Sequence, residues 1–322
     1  MASLHRPGSR LHGVMKHAIL GAGAVGGLVG AALANEGDRV TLLVRPQTHK
    51  QHSGMLRLTR PYDTIEAPVR IETRLAEPVD VLWLAVKAHQ LVAALRAVPP
   101  DVATTTIVPL LNGIEHVNLL RLRFNHERVV PATILVESER IAPGRIVQRS
   151  PFVRLTLSTL GEHKLEGVAS RLRHAGFSCE FHADEKTMLW SKLAFLAPLA
   201  LIGTASDKDK QGIFADMAWR ARLESAVGEV CAVAAADGAV VDREEILVKV
   251  EALPATMRSS MQKDVSAGRM PELDAIGGAI IRAGRNHGLD MPTTRKLVGE
   301  IQKRLSKMGQ RTIMDGMSQK TK

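Results

Sequence analysis

A chain of 322 residues with 45% apolar and 24% charged side chains has the make-up of an ordinary globular protein and the length for about two domains. Its formal net charge of +10 raises nucleic acid as a partner. Lys and Arg are spread along the chain, however, and aromatics make up only 3%, so stacking platforms are few and that class is disfavoured. Two distant cysteines, Cys179 and Cys231, and histidines without HxxxH or HExxH spacing argue against a disulfide framework and a metal centre, and suit a reducing cytoplasm.

Residues 1–14 read as a disordered extension, because MKHAIL from Met15 already has the pattern of a domain start. Ala18 to Ala34 carry no charge, yet this glycine-rich stretch is short for a membrane span, which needs about 20 strongly apolar residues. HAIL (17–20) reads as a strand and runs into GAGAVGG (21–27). LVGAALANEG then reads as a helix stopping at Gly37, and RVTLLV (39–44) as the next strand. Gly21, Gly23 and Gly26, with Ala24 and Val25 between the last two, make G-x-G-x-x-G in the strand–turn–helix–strand setting of a dinucleotide site. The turn must be tight, and backbone N–H groups at the helix start must reach a pyrophosphate.

The residue closing the second strand distinguishes the cofactors. An acid there suits the ribose hydroxyl of NADH, whereas this chain has Arg45, a cation suited to the 2′-phosphate of NADPH. Asp38 precedes the strand and so falls at the wrong end. VDVLWLAV (79–86) ends at Lys87, and TTTIVPLL (104–111) ends before Asn112-Gly113. Gly21, Arg45, Lys87 and Asn112 therefore each follow a strand, where a doubly wound sheet lines its ligand crevice. VVPATILVESERIA, GRIVQRS and VRLTLSTLG read as strands that complete this sheet, with Pro143-Gly144 as a turn.

After Asp184 the pattern is helical. LWSKLAFLAPLALIG (189–203) carries one charge, Lys192, on a stripe with Leu189, Leu196 and Leu199. A snorkelling lysine and a catalytic cation in a partly dry pocket both fit this placement. Gly238 ends a long helix, and Asp242 with Glu245 starts another as a capping box. Pro271 is expected to open a third, with Leu273, Ile276, Gly277 and Ile280 on one face. RTIMDGMSQKTK reads as a polar tail. The fold class expected is α/β: a Rossmann-type dinucleotide-binding domain over 15–183 and an all-helical C-terminal domain over 184–310, with a tail over 311–322.

The combination of GAGAVGG, Arg45, VKAHQ, LLNG, LWSKLAF and RSSMQKD followed by Glu272 resembles the ketopantoate (2-dehydropantoate) reductase family over residues 15 to about 308. The resemblance implies a helical domain like that of 6-phosphogluconate dehydrogenase, with NADPH and substrate in the cleft. It also implies hydride transfer to the keto carbon of a 2-oxo acid on the route to pantothenate. It makes Lys192 the general acid and Glu272 a partner to the substrate hydroxyl. Ser260 would contact substrate, and Lys87 and Asn112 would lie near the nicotinamide and carbonyl. Hydride arriving at a ketone leaves charge on oxygen, which a nearby ammonium stabilises and then protonates.

This chain departs from the family at three positions. Family members usually carry asparagines four and eight residues after the lysine and an amide three before the serine; here these are Leu196, Ala200 and Met257. Losing three contacts of ~0.5–1.5 kcal/mol each suits a substrate more apolar than ketopantoate. Arg258 is the candidate to hold a carboxylate instead. Two alternatives stand beside a 2-oxo acid reductase. A catalytically silent NADPH-binding sensor or interaction protein explains the glycine turn and Arg45, but not Lys192, Ser260 and Glu272 together. A related reductase on another keto or imine substrate explains all of them. The small-molecule oxo acid is the expected partner, without nucleic acid or membrane, and the apolar helical domain would suit a homodimer.

Overall fold

The computed structural model describes residues 13–100 and 104–318. The extension expected over 1–14 lies outside the described residues apart from Gly13 and Val14. The described residues divide into two compact units. One holds residues 13–86, 90–100, 104–110 and 120–183, the other 87–89, 111–119 and 184–318.

The first unit begins β1 (Lys16–Leu20), α1 (Ala24–Asn35), β2 (Arg39–Leu43), α2 (Pro46–Gln51), β3 (Met55–Thr59), β4 (Thr64–Pro68), β5 (Arg70–Glu72) and β6 (Val79–Leu84). A short α3 (Leu91–Ala94), β7 (Thr104–Pro109) and α4 (His116–Phe124) follow, with α4 straddling the two units. The unit closes with β8 (Ala132–Leu135), β9 (Ser138–Ala142), β10 (Arg145–Gln148), β11 (Arg154–Ser158), α5 (Glu162–His174) and β12 (Ser178–His182).

A five-stranded parallel sheet in the order β5-β2-β1-β6-β7 carries the glycine turn between β1 and α1. Its inner strands are buried on both faces: Ile19, Leu42, Leu82, Trp83 and Leu84 are all inaccessible, as near-continuous apolar runs require. The strands expected to complete this sheet do not do so. VVPATILVESERIA splits, with β8 joining β11 and β12 in a three-stranded sheet and β9 joining β10, β3 and β4 in a four-stranded one. Beyond β7, among the described residues, the parallel ladder continues only as a bridge from Ile107 to Val129, and Pro131 soon after has no N–H to extend it.

The β3–β4 hairpin alternates exposed and buried residues, and its inward Leu56, Leu58, Ile65 and Ala67 lie in one core with α1. α1 can approach this layer because it lacks side chains there. A Cβ at Gly27 would lie 2.6 Å from Ile146 Cδ1, and one at Gly30 would lie 3.2 Å from Leu56 Cδ1.

The second unit is helical, with α6 (Glu185–Ser206), α7 (Lys210–Phe214), α8 (Met217–Ala236), α9 (Arg243–Glu251), α10 (Ser260–Ser266), α11 (Ala279–Asn286) and α12 (Pro292–Ser318). α6 is long and apolar enough to cross a bilayer, but 72% of its apolar window is buried inside the protein, as befits a core helix. Side-chain caps start most of these helices: Asp184 accepts from the Thr187 N–H, Asp242 from the Glu245 N–H at 2.8 Å, and Ser259 from the Gln262 N–H. Pro271 and Glu272 precede the helix expected to open at Pro271. It enters instead through a π-helical turn over Asp274–Gly278, where Gly277 lets the chain approach Val298 and Leu201. α12 runs on through Ser318, past the expected boundary at 310, because no proline follows Pro292 to stop it. The rest of the expected tail, 319–322, lies outside the described residues.

Candidate active site

In the first unit, each glycine of the G-x-G-x-x-G turn has its own constraint. Gly21 has φ +106°, and a Cβ there would sit 2.8 Å from the Ala85 carbonyl oxygen. At Gly26 a Cβ would fall 2.1 Å from the Gly21 carbonyl oxygen. At Gly23 the nearest protein atom to a Cβ is 4.0 Å away, so the space over this residue is open. Gly23 caps α1, Ala24 and Val25 begin it, and its first turn holds no acid. The N–H groups of a first helical turn lack intrahelical acceptors, so this turn offers a neutral-to-positive cradle for an anion. Arg45 follows β2, exposed, and its guanidinium has no partner among the described residues. Asp38 is buried elsewhere in the unit. It accepts from the Met15 N–H at 3.0 Å and lies 3.1 Å from His17 Nε2, while Trp83 Nε1 donates to His17 Nδ1 at 3.2 Å.

The remaining candidates fall in the helical unit, because Lys87–His89 and Leu111–Leu119 group with it. Lys192 lies on α6, partly accessible and without a hydrogen bond among the described residues. Burial of its ammonium lowers its pKa to about 8, against a smaller upward influence from the Glu272 carboxylate. Glu272 is held at both oxygens: the Ala88 N–H donates to Oε1 and Asn112 Nδ2 donates to Oε2, each at 2.9 Å. The Asn112-Gly113 turn packs closely on the π-helical turn, since a Cβ at Gly113 (φ +83°) would lie 2.4 Å from the Ala275 carbonyl oxygen. Lys192, Glu272 and Asn112 are thus brought together from three distant segments.

Three other candidates stand differently. Lys87 Nζ donates to Asp264 Oδ2 at 2.6 Å and to the Met270 carbonyl at 3.2 Å, so its charge is shared with Asp264, which also accepts from Arg269. Ser260 is the exposed first residue of α10, whereas the buried cap is its neighbour Ser259. Arg258, offered as a carboxylate holder, is exposed and donates to Asp207 at its side chain and its carbonyl, so it is not the uncommitted cation expected. Asp264 closes RSSMQKD and was legible only as part of that string. Nothing in the sequence singled out His116, four residues past Asn112. It is buried, its pKa is lowered to about 3 by burial and then by Lys192, and its Nε2 has no partner.

The model of the ketopantoate reductase PanE/ApbA family matches residues 17–162, and that of its C-terminal part matches 184–304. A Rossmann-like unit with this glycine turn and a helical unit with this lysine–glutamate pair define an oxidoreductase. The chain belongs to the ketopantoate reductase family. The 2-dehydropantoate 2-reductase of Caulobacter vibrioides is 31% identical over 289 residues, covering 87% of this chain and 96% of that protein. In fold, the chain matches D-mandelate dehydrogenase with NADH and anilino(oxo)acetate at a TM-score of 0.82 and 23% identity, over 92% of this chain and 100% of that one. The 2-dehydropantoate 2-reductase of Geobacter metallireducens GS-15 matches at 0.82 and 24%, over 90% and 100%.

Proposed function

We propose that this protein reduces a 2-oxo acid to the 2-hydroxy acid with NADPH, the substrate being 2-dehydropantoate or a more apolar relative. The observation that carries the reading is Lys192: an ammonium with its pKa lowered to about 8, beside a carboxylate already locked by two donors. A group so poised is charged at neutral pH and gives up its proton readily.

The residues of the first unit fit the dinucleotide. The open space at Gly23, the free first-turn N–H groups of α1 and the unpartnered Arg45 suit a pyrophosphate and a 2′-phosphate. When bound, NADPH supplies the hydride. As the keto carbon accepts it, the carbonyl π electrons move to oxygen, and Lys192 stabilises that charge and transfers its proton to form the hydroxyl. Water then recharges the lysine. Glu272, oriented by Ala88 and Asn112, sustains the ammonium and accepts from the product hydroxyl. Leu196 lies one turn beyond Lys192 and Ala200 a turn further on, two apolar groups where the family places amides, which supports the more apolar substrate. The D-mandelate dehydrogenase of this fold was solved with an aromatic oxo acid analogue, a precedent for such a substrate. The 15–183 region then holds the dinucleotide and the 184–310 region the oxo acid. Both cysteines are free and buried, in keeping with a cytoplasmic enzyme.

NADPH oxidation with 2-dehydropantoate and a panel of bulkier 2-oxo acids tests this, with wild type beside Lys192→Ala. Lysine-dependent turnover is expected. Tight NADPH binding without turnover on any oxo acid would refute the assignment and favour the silent sensor. A clear preference for 2-dehydropantoate over bulkier acids would remove the apolar-substrate part alone.

A further inference from the structure

Glu272 and Asn112 come from segments 160 residues apart, so the bond between them is only as steady as the two backbones that carry it. Asn112 begins the turn that ends at Glu115, just before α4, and Glu272 lies two residues before the π-helical turn over Asp274–Gly278. One side chain of the same helical unit holds both segments. From α11, Arg282 donates through Nε and Nη2 to the two Glu115 carboxylate oxygens at 2.7 and 2.8 Å, a bidentate fork. Its Nη1 donates to Asp274 Oδ1 at 2.7 Å, and Nη2 also reaches Asp274 Oδ2 and the Asp274 carbonyl oxygen, each at 3.2 Å. A guanidinium is planar and its donors are fixed, so gripping two carboxylates at once also sets the distance between them.

The backbone leaves room for this span. Gly278 closes the π-helical turn, and a Cβ there would lie 2.4 Å from Asp274 Oδ1 and 3.0 Å from Arg282 Nη1. Any larger residue would part that pair. Arg282 is 41% exposed, Glu115 49% and Asp274 84%, so these ion pairs add little to folding stability. What they do set is the separation of the two segments that present Asn112 and Glu272.

We propose that Arg282 is a positioning residue of the Lys192 site. By clamping Glu115 to Asp274, it keeps Asn112 against Glu272 and holds the Glu272 carboxylate where Lys192 and the product hydroxyl need it. The inference rests on the reading of Lys192 and Glu272 as the reacting pair. Arg282 bonds to neither of them among the described residues and moves no proton; it acts through the two backbones. An exposed ion pair biases an equilibrium by about fivefold at most, so two pairs set a ceiling of about 25-fold on the effect.

The test measures kcat and KM on the best 2-oxo acid for wild type, Arg282→Ala, Arg282→Lys and Gly278→Ala, with NADPH affinity and melting temperature as controls. Arg282→Ala should lower kcat by ~5–20-fold, with KM and NADPH affinity little changed. Arg282→Lys can meet one carboxylate but cannot fork two, and should recover part of that loss. Gly278→Ala keeps every charge and parts only Arg282 from Asp274. It should lower kcat by ~2–5-fold, and it carries the measurement if Arg282→Ala fails to fold. The deciding variant is Arg282→Ala combined with Glu272→Gln. A residue acting through Glu272 should cost less than about twofold there, because the carboxylate it positions is already gone. A full-size loss in that background, a kcat of Arg282→Ala equal to wild type, or no recovery in Arg282→Lys would overturn the proposal and leave the reductase reading intact. Absence of turnover in wild type on every oxo acid would bring down both together.

Discussion

Replacing Glu272 with glutamine should move the pH dependence of catalysis by a predictable amount and in a predictable direction. In the native site Lys192 is pulled down by burial to about 8 and supported from below by the Glu272 carboxylate. An opposite charge within a few ångströms shifts a pKa by ~1–3 units, and each unit is ~1.4 kcal/mol. Lys192 remains partly accessible, so the low end is appropriate, about one unit. The active form is the ammonium, present below its pKa and lost above it. Removing the carboxylate lowers that pKa, so the basic limb of the kcat profile should move to lower pH by about one unit, with ~10-fold less activity on the basic side. Glutamine preserves the volume and one acceptor oxygen, although its amide N–H₂ must face Ala88 N–H or Asn112 Nδ2. Steady-state kcat across the pH range, in wild type and Glu272→Gln with NADPH saturating, is the assay. An unmoved basic limb would show that Glu272 does not support the lysine charge. A limb displaced to higher pH would contradict the sign of the argument outright.

Arg45→Ala should reduce the preference for NADPH over NADH, measured as the ratio of kcat/KM, by ~10-fold. Charge-assisted hydrogen bonds contribute ~1.5–3 kcal/mol, and the exposure of Arg45 calls for the lower value. Gly26→Ala forces a Cβ to 2.1 Å from the Gly21 carbonyl oxygen, a backbone atom that cannot yield. It should abolish dinucleotide binding by fluorescence titration. Gly23→Ala, with no protein atom nearer than 4.0 Å, should leave the melting temperature unchanged and weaken binding alone. Asp38→Ala removes the acceptor of the Met15 N–H, the carboxylate partner of the inaccessible His17 and the ion-pair partner of the largely buried Arg171, and should cost ~3–5 kcal/mol of stability in denaturant titration.

What the sequence determined by itself was whatever neighbours in the chain decide. The strand–turn–helix at Gly21 to Asn35 is local, because a positive φ and a tight turn depend on residues a few positions apart. The cap at Asp242 and the stop at Gly238 (φ +89°) are equally local. Lys192 was legible because one charge on an apolar helical stripe breaks its own period.

Tertiary structure decided the rest. No periodicity states that β8 and β9 join different sheets. That choice turns on how Gly27 and Gly30 let α1 approach Ile146 and Leu56, and on Pro131 withholding a ladder donor. The commitment of Lys87 to Asp264 and of Arg258 to Asp207 joins residues far apart in sequence. A charged side chain reads the same in a string whether it is free or paired. His116 is the clearest case: in sequence it is an ordinary histidine after a turn, and only the packing of α4 against α6 buries its Nε2 without a partner. Burial and partnership are sums over the whole fold, and so lie beyond any local pattern.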